Sequence, residues 1–485
     1  MKNLFTFLIL IFINLSLSAD QENKSAKPNI IFFLIDDLAW SDIACSGSEF
    51  HETKNIDQLA IDGIRFTNAY AASPVCSPTR ASILTGKYPT RVNFTRATPT
   101  ESLALDEVTI AEALKEANYR TAHMGKWHLQ IYKEKNKNHY PEAQGFDVNV
   151  AGHAAGQPGS FFFPYKSKRS PNKNVPGLED GKEGDYLTDI LTDKAIEFID
   201  ETKDQPFFLN MCYYSVHTPV TGKEDKIAKY EKKAKTMGFT KSPSAIQEYN
   251  SWHRKKQDNP EYAAMVESMD ENIGRILNHL KKIGKDENTI IIFSSDNGGL
   301  STNKSDGKGG PTSCLPLRAG KAWVYEGGIR VPTIIKWPKV IKAGSTSDEP
   351  IVSTDYYPTI LEMIGLSLKP KQHLDGISLV PILKGEKKEL ERDAIHFHFP
   401  HDHGVNSMGA SSAIRVGDFK LVERFSDMSL ELYNLKSDLG EQNNLASKMP
   451  ELTEKLKQMM ETWRKDTGAW IPSTKDSKIK KNSEK

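Results

Sequence analysis

The chain is 485 residues long, with 64 lysines and arginines against 63 aspartates and glutamates, a formal net charge of +1. Such a length calls for one large α/β domain with an appendage, or for more than one ordinary domain. The near balance of charge argues against a polyanion-wrapping surface, so nucleic acid is not an expected partner.

The first residues read as an address. Lys2 precedes an apolar run from Leu4 to Leu17, then Ser18-Ala19, the pattern of a signal peptide over residues 1–19. The run is shorter than the ~20 residues of a comfortable membrane span, and an uncleaved interfacial anchor is the alternative. Export to the periplasm or outside the cell is expected, with no membrane attachment after cleavage. Asn23, Asn93 and Asn303 lie in N-x-Ser/Thr sequons, which matter only in a host that glycosylates. The four cysteines, Cys45, Cys76, Cys212 and Cys314, are too few for a disulfide framework, though one incidental bridge is possible.

"PNIIFFLIDDLAW" reads as a buried parallel strand whose acids, Asp36 and Asp37, emerge at its carboxyl end. "NTIIIFSSDNGG" repeats the design and ends on Asp296 and Asn297; "PFFLNMCYYSVHTP" ends at His217; the shorter "YRTAHMGKWHL" ends near Lys126 and His128. Helical patterns lie between them at Ile56–Ile61, Thr109–Ala117, Leu187–Thr202 and Tyr262–Ile283. Strands alternating with helices predict a large, mostly parallel sheet sandwiched by helices. Ligands of such sheets gather at the carboxyl ends of the strands, where four strands here deliver polar groups.

Lys223–Pro260 is polar, Lys-rich and weakly periodic, which predicts a helical surface insertion. After Pro350 come a helix in "STDYYPTILEMIG", a turn and short helix in "HLDGISLVPILKG", antiparallel strands in "SAIRVGDFKLVERF" and "LELYNL", and an amphipathic helix over Met449–Thr467. The expected division is a catalytic α/β domain over 28–375, a smaller C-terminal α+β subdomain with an antiparallel sheet over 376–470, and a charged, disordered tail over 471–485.

Asp36, Asp37, Asp296 and Asn297 form an all-oxygen set suited to Ca²⁺ or Mg²⁺ rather than Zn²⁺. Ordinary turn chemistry explains either pair alone; two pairs at matching strand ends favour a cation. Lys126, His128, His217 and Lys321 are candidate acids, bases and anion-binding groups. Cys76 lies just before a helix that opens at Pro78 and carries Arg80, so it sits where negative charge is favoured. A thiolate nucleophile fits that place but not hard-cation ligands; the cysteine should present oxygen rather than sulfur.

At this point the sequence resembles the type I sulfatases of the alkaline-phosphatase superfamily. The resemblance rests on Cys76-Ser77-Pro78-Thr79-Arg80 followed by Leu84-Thr85-Gly86, on Gly125-Lys126-Trp127-His128-Leu129, and on Asp36-Asp37, His217-Thr218-Pro219 and Asp296-Asn297-Gly298-Gly299. Lys321, with Glu326-Gly327-Gly328 and Arg330, completes the order, and "ELYNL" and "EQNNLA" extend the match almost to the end.

The resemblance implies an alkaline-phosphatase-like fold and a Cys76 oxidised by a separate formylglycine-generating enzyme to an aldehyde. Its hydrated form would bind the metal, Ca²⁺ before Mg²⁺, and attack the sulfate sulfur. Arg80 would hold the diol, Lys126 bridge diol and sulfate, His128 take a proton as sulfate leaves, and His217 and Lys321 assist the leaving alcohol. The chain departs from the family at Thr79, where serine is common, and at Lys87, where arginine is common; both are tolerant positions.

The substrate is left to the variable segments Ala151–Tyr165, Lys223–Pro260 and His396–Gly404. From these, His153, His398 and His401 are expected to touch a sulfated saccharide, from an algal galactan or ulvan or from a glycosaminoglycan. A polar turn is the plainer account of the His-rich tract. Two other functions stand beside the sulfatase: a phosphonate or phosphate ester hydrolase, and a non-catalytic binder of sulfated glycan with Cys76 unmodified.

Overall fold

The computed structural model describes residues 27–132, 138–239, 244–249, 251–303, 307–402 and 408–472. Residues 1–19, Asn23 and the tail from 473 onward, each singled out above, lie outside them. Asn29–Ile35 is apolar at six of its seven positions and forms the centre of an eight-stranded sheet. Phe207–Tyr213 lies parallel on one side of it and Thr289–Ser295 parallel on the other. Arg120–Gly125 and Val148–Val150 extend the first side in parallel. On the second side Thr333–Lys336 runs antiparallel, followed by Ile64–Phe66 and Ser345–Ser347. The sheet is therefore mostly parallel.

Every residue of the three central strands is buried, as both faces are covered. Alternation along Asn29–Ile35 sends Ile30, Phe32 and Leu34 to one side, with Ile110, Tyr356 and Ile360. Ile31, Phe33 and Ile35 go to the other, with Leu187, Leu191, Met265 and Ile273. Pro260–Lys282 and Leu187–Glu201 supply that second layer, and their apolar residues recur at helical spacing.

The insertion is a helix only in its first half. Glu224–Thr236 is helical, whereas Ala245–Glu248 and Ser251–Arg254 form a hairpin, with Thr302–Asn303 as third strand. Burial alternates along Ser251–Arg254, a period of two that the lysine-rich composition hides.

Ile395–Phe399, Ser411–Val416, Phe419–Arg424 and Leu430–Asn434 make a four-stranded antiparallel sheet, backed by the helix Pro450–Thr467. Buried charge holds it to the rest. Lys420 Nζ lies 3.0 Å from Glu326 and 2.8 Å from Glu441, all three groups being inaccessible. Burial and the neighbouring Glu326 push Glu441 up to about 7, although Lys420 opposes them. Burial also raises Glu326, but Lys420, Arg330 and Arg415 outweigh it and hold that carboxyl down at about 2. All four cysteines are free.

Two outcomes follow from this cluster. Lys420→Met leaves the buried Glu441 without its cation and takes from Glu326 one of its cations, Arg330 remaining at 2.8 Å, and should cost about 3–5 kcal/mol in denaturant unfolding. Glu441 binds its proton more tightly folded than at its ordinary 4.5. Its contribution to stability is therefore full below that value and is lost as pH rises through about 7. The melting temperature of Glu441→Gln, relative to the parent, should accordingly climb between about pH 5 and about pH 8.

Candidate active site

Four adjacent parallel strands end at one place. Asp296 follows Thr289–Ser295, Asp36 and Asp37 follow Asn29–Ile35, His217 lies beyond Phe207–Tyr213, and Lys126 follows Arg120–Gly125. Facing them is the helix Cys76–Thr85, buried at all ten positions. It starts at Cys76, two residues before the expected Pro78. The proline then falls in the first turn, where its missing N–H has no intrahelical acceptor to lose.

Three buried carboxylates meet three cations there. Lys126 Nζ donates to both oxygens of Asp36 at 2.8 Å. Lys321 Nζ donates to Asp37 at 2.6 and 2.8 Å. Arg80 Nε donates to Asp296 at 2.8 Å, with a second nitrogen at 2.7 Å, and its Nη1 donates to the Lys126 carbonyl. Burial raises Asp36 well above the usual carboxylate range despite Lys126. Burial also raises Asp37, but Lys321, His217 and Lys126 outweigh it and hold that carboxyl low.

Cys76 Sγ stands 3.4 Å from His128 Nδ1, and burial raises its thiol. Burial, then Lys126 and Arg80, push His128 well down, so its imidazole is neutral. Burial and Lys321 lower His217 to about 3; its Nε2 lies 3.6 Å from Asp37. Asp37 and His128 both sit in the left-handed backbone region, at φ 63° and 61°, which costs ~1–2 kcal/mol outside glycine. The Asp37 N–H donates to Asp296 at 3.2 Å and the His128 N–H to the His153 carbonyl at 3.1 Å, which fixes both.

One ligand atom each from Asp36, Cys76 and Asp296 lies within 4.8 Å of the others. Beside them the buried Asn297 Oδ1 has no hydrogen-bond partner, while its Nδ2 donates to Asp37. Carboxylate oxygens gathered within 4.8 Å, with an unsatisfied amide oxygen on the residue after Asp296, fit a hard divalent cation.

Above this floor is a cavity of about 340 Å³ whose lining includes Cys76, His128, His217, Lys321, Tyr132 and Gln157. A chain that keeps a cysteine, a neutral imidazole and a lysine around one space over buried acids is built for attack on an anionic ester.

The sequence model of the family described as Sulfatase matches residues 28–366. The chain belongs to the sulfatase family. A second model, "N-sulphoglucosamine sulphohydrolase, C-terminal", matches 319–466. A sulfatase of Formosa agariphila is 33% identical, over 96% of each chain. An N-acetylglucosamine-6-O-sulfatase of Bacteroides thetaiotaomicron is 31% identical, over 91% of this chain and 86% of that one. Among solved structures, Ps i-CgsB superposes with a TM-score of 0.76 at 30% identity, covering 93% of this chain and 96% of that one. BT4656, solved with its substrate D-glucosamine-2-N,6-O-disulfate, gives 0.71 at 26% identity, over 91% and 98%. The fold is alkaline-phosphatase-like, and this sulfatase is a sulfuric ester hydrolase.

None of the three histidines expected at the sugar lines the cavity. His398 is buried, with Nδ1 at 2.6 Å from Ser412 Oγ and Nε2 at 3.0 Å from the Trp470 carbonyl, so protein occupies both nitrogens. It fastens the sheet to the segment after the last helix. His401 Nε2 lies 2.9 Å from Thr95 Oγ1. His153 is buried with Nδ1 against Tyr214 and the Ala151 carbonyl. His396 stacks on Trp463 at 4.7 Å, and His403 and Gly404 lie outside the described residues. Tyr132, Gly156 and Gln157 were not singled out from sequence. The signal available was position: Tyr132 follows His128 by four residues, and the other two lie in the variable segment Ala151–Tyr165.

Gly156 explains how His128 keeps its orientation. A Cβ there would stand 2.4 Å from His128 Cε1 and 2.6 Å from Nε2. Gly156→Ala should therefore tilt the imidazole away from Cys76. A misplacement on the order of 1 Å costs about 100-fold in rate, so kcat on an aryl sulfate should fall by about that factor, with the melting temperature little changed.

Proposed function

We propose that this sulfatase is exported and cleaves a sulfate ester from a saccharide, with Cys76 carried as formylglycine and one Ca²⁺ held by Asp36, Asp37, Asp296, Asn297 and the modified residue. Mg²⁺ is the second choice. The observation that carries the reading is the placement of Cys76 beside His128 and Lys321, above an oxygen-donor floor with Asn297 Oδ1 unsatisfied. A formylglycine-generating enzyme is the implied partner, and residues 1–19 are the implied export signal. The saccharide reading draws on the neighbours: Ps i-CgsB was solved with k-i-k-neocarrahexaose and BT4656 with a sulfated glucosamine.

Hydrated formylglycine and a divalent cation supply, respectively, an oxygen nucleophile and charge neutralisation on the sulfate oxygens. The chain's own groups do the rest. Arg80, tied to Asp296 and to the Lys126 carbonyl, holds positive charge beneath residue 76. Lys321, which lines the cavity, and Lys126, buried on Asp36, steady the anion. His128, held neutral by burial and by Lys126, has a lone pair to accept a proton from residue 76. His217 and Lys321, across the cavity, hold the ester oxygen that leaves.

The peptide containing residue 76 should show loss of sulfur and gain of a carbonyl by mass spectrometry in active protein. Full turnover with an intact thiol would refute the modification. Asp296→Ala should abolish both Ca²⁺ binding, read by metal analysis, and activity.

His217→Ala separates substrates by leaving group. His217 is neutral, so it steadies the departing oxygen by hydrogen bonding, and removing one such donor typically costs about 10²–10³-fold. A sugar alcohol is a poor leaving group and an activated aryl alcohol a good one, so the loss should be larger on a saccharide sulfate by a wide margin. Equal losses on both would mean that His217 only shapes the pocket.

A further inference from the structure

We infer that Gln157 is a specificity-determining residue that hydrogen-bonds the hydroxyls next to the sulfated carbon of the substrate sugar. The inference rests on the saccharide reading above and adds the group that reads the ring.

Gln157 lines the same cavity as Cys76, His128, His217 and Lys321, and its side chain is half-buried. Its backbone is fixed on both sides. Before it, Gly156 packs against the His128 ring, and its N–H donates to the Tyr132 hydroxyl at 3.2 Å. After it, Pro158 restricts Gln157 to extended conformations. The amide is thus presented from a pinned backbone, one residue from the glycine that abuts the catalytic imidazole. A carboxamide offers two N–H donors and one carbonyl acceptor on one plane. Two neighbouring hydroxyls, each both donor and acceptor, are its natural complement. An aryl sulfate has no such hydroxyls, so the contact acts only on sugars.

The test compares Gln157→Ala with the parent on 4-nitrophenyl sulfate and on a panel of sulfated mono- and oligosaccharides, including a substrate of the panel made without the hydroxyl next to the sulfated carbon. Two neutral hydrogen bonds correspond to roughly 10-fold or more in kcat/KM. The loss on the preferred saccharide should exceed that on the aryl ester by about this factor, mainly through KM. The deoxy substrate should be a poorer substrate for the parent and insensitive to the substitution. Gln157→Asn keeps the amide but withdraws it by one methylene, and should show the same selective loss with an unchanged melting temperature. Equal losses on both substrate types, or full sensitivity of the deoxy compound, would overturn the inference while leaving the sulfatase assignment intact. Turnover of the aryl ester with none of the saccharides would overturn the saccharide reading, and this inference with it.

Discussion

Everything in this structure depends on neutralising three carboxylates in a place without water. Asp36, Asp37 and Asp296 are all but inaccessible, and an unpaired buried carboxylate costs several kcal/mol. Lys126, Lys321 and Arg80 answer them one to one. Each pair joins segments distant in sequence. Arg80 ties the Cys76 helix to the end of Thr289–Ser295, Lys126 ties the Arg120–Gly125 strand to the central strand, and Lys321 brings in a loop from beyond the sheet. The charge pairing that lets the acids be buried is also what brings Cys76, His128 and His217 around one space.

The layers behind that point give it rigidity. The central strands are buried on both faces, so the carboxyl ends from which the acids project have little freedom to shift. Tyr262 donates to Asp42 at 2.6 Å, and Asp42 accepts the Ala39 N–H at 2.9 Å. That contact secures the turn just past Asp37. On the opposite side the loop Ala151–Gln157 supports His128 through the His153 carbonyl and through the bare Cα of Gly156.

The strand ends were legible in the sequence because burial on two faces demands an unbroken apolar run, and a polar group ending such a run has one place to go. The C-terminal strands and the last helix were legible from their periodicity. The hairpin within Lys223–Pro260 was not, since a lysine-rich stretch reads as a solvated helix and the pairing of Ser251–Arg254 with Thr302–Asn303 is a non-local event. The surroundings of the histidines were hidden for a related reason. Sequence shows that His398 can hydrogen-bond but not that Ser412, across a strand pair, and the Trp470 carbonyl use both nitrogens. Conversely, Gly156 and Gln157 carry no chemistry in their names. Gly156 matters because it packs against a residue 28 positions earlier, His128, and Gln157 because it lines the same cavity.

The central strand is also the first described strand of the chain, and its place in the sheet bears on synthesis. Asn29 bonds to residues 178 and 260 positions later, Phe207 and Thr289. At ribosomal speeds, the second partner emerges roughly 15–50 seconds after the first strand. Until Phe207–Tyr213 emerges, Asn-Ile-Ile-Phe-Phe-Leu-Ile has neither edge paired, and from then until Thr289–Ser295 arrives it keeps one edge open; it is mostly apolar and uncharged, the composition that seeds association between chains. The chain's yield on overexpression should therefore be governed by how that one early segment is shielded before Thr289–Ser295 arrives, rather than by the stability of the finished fold.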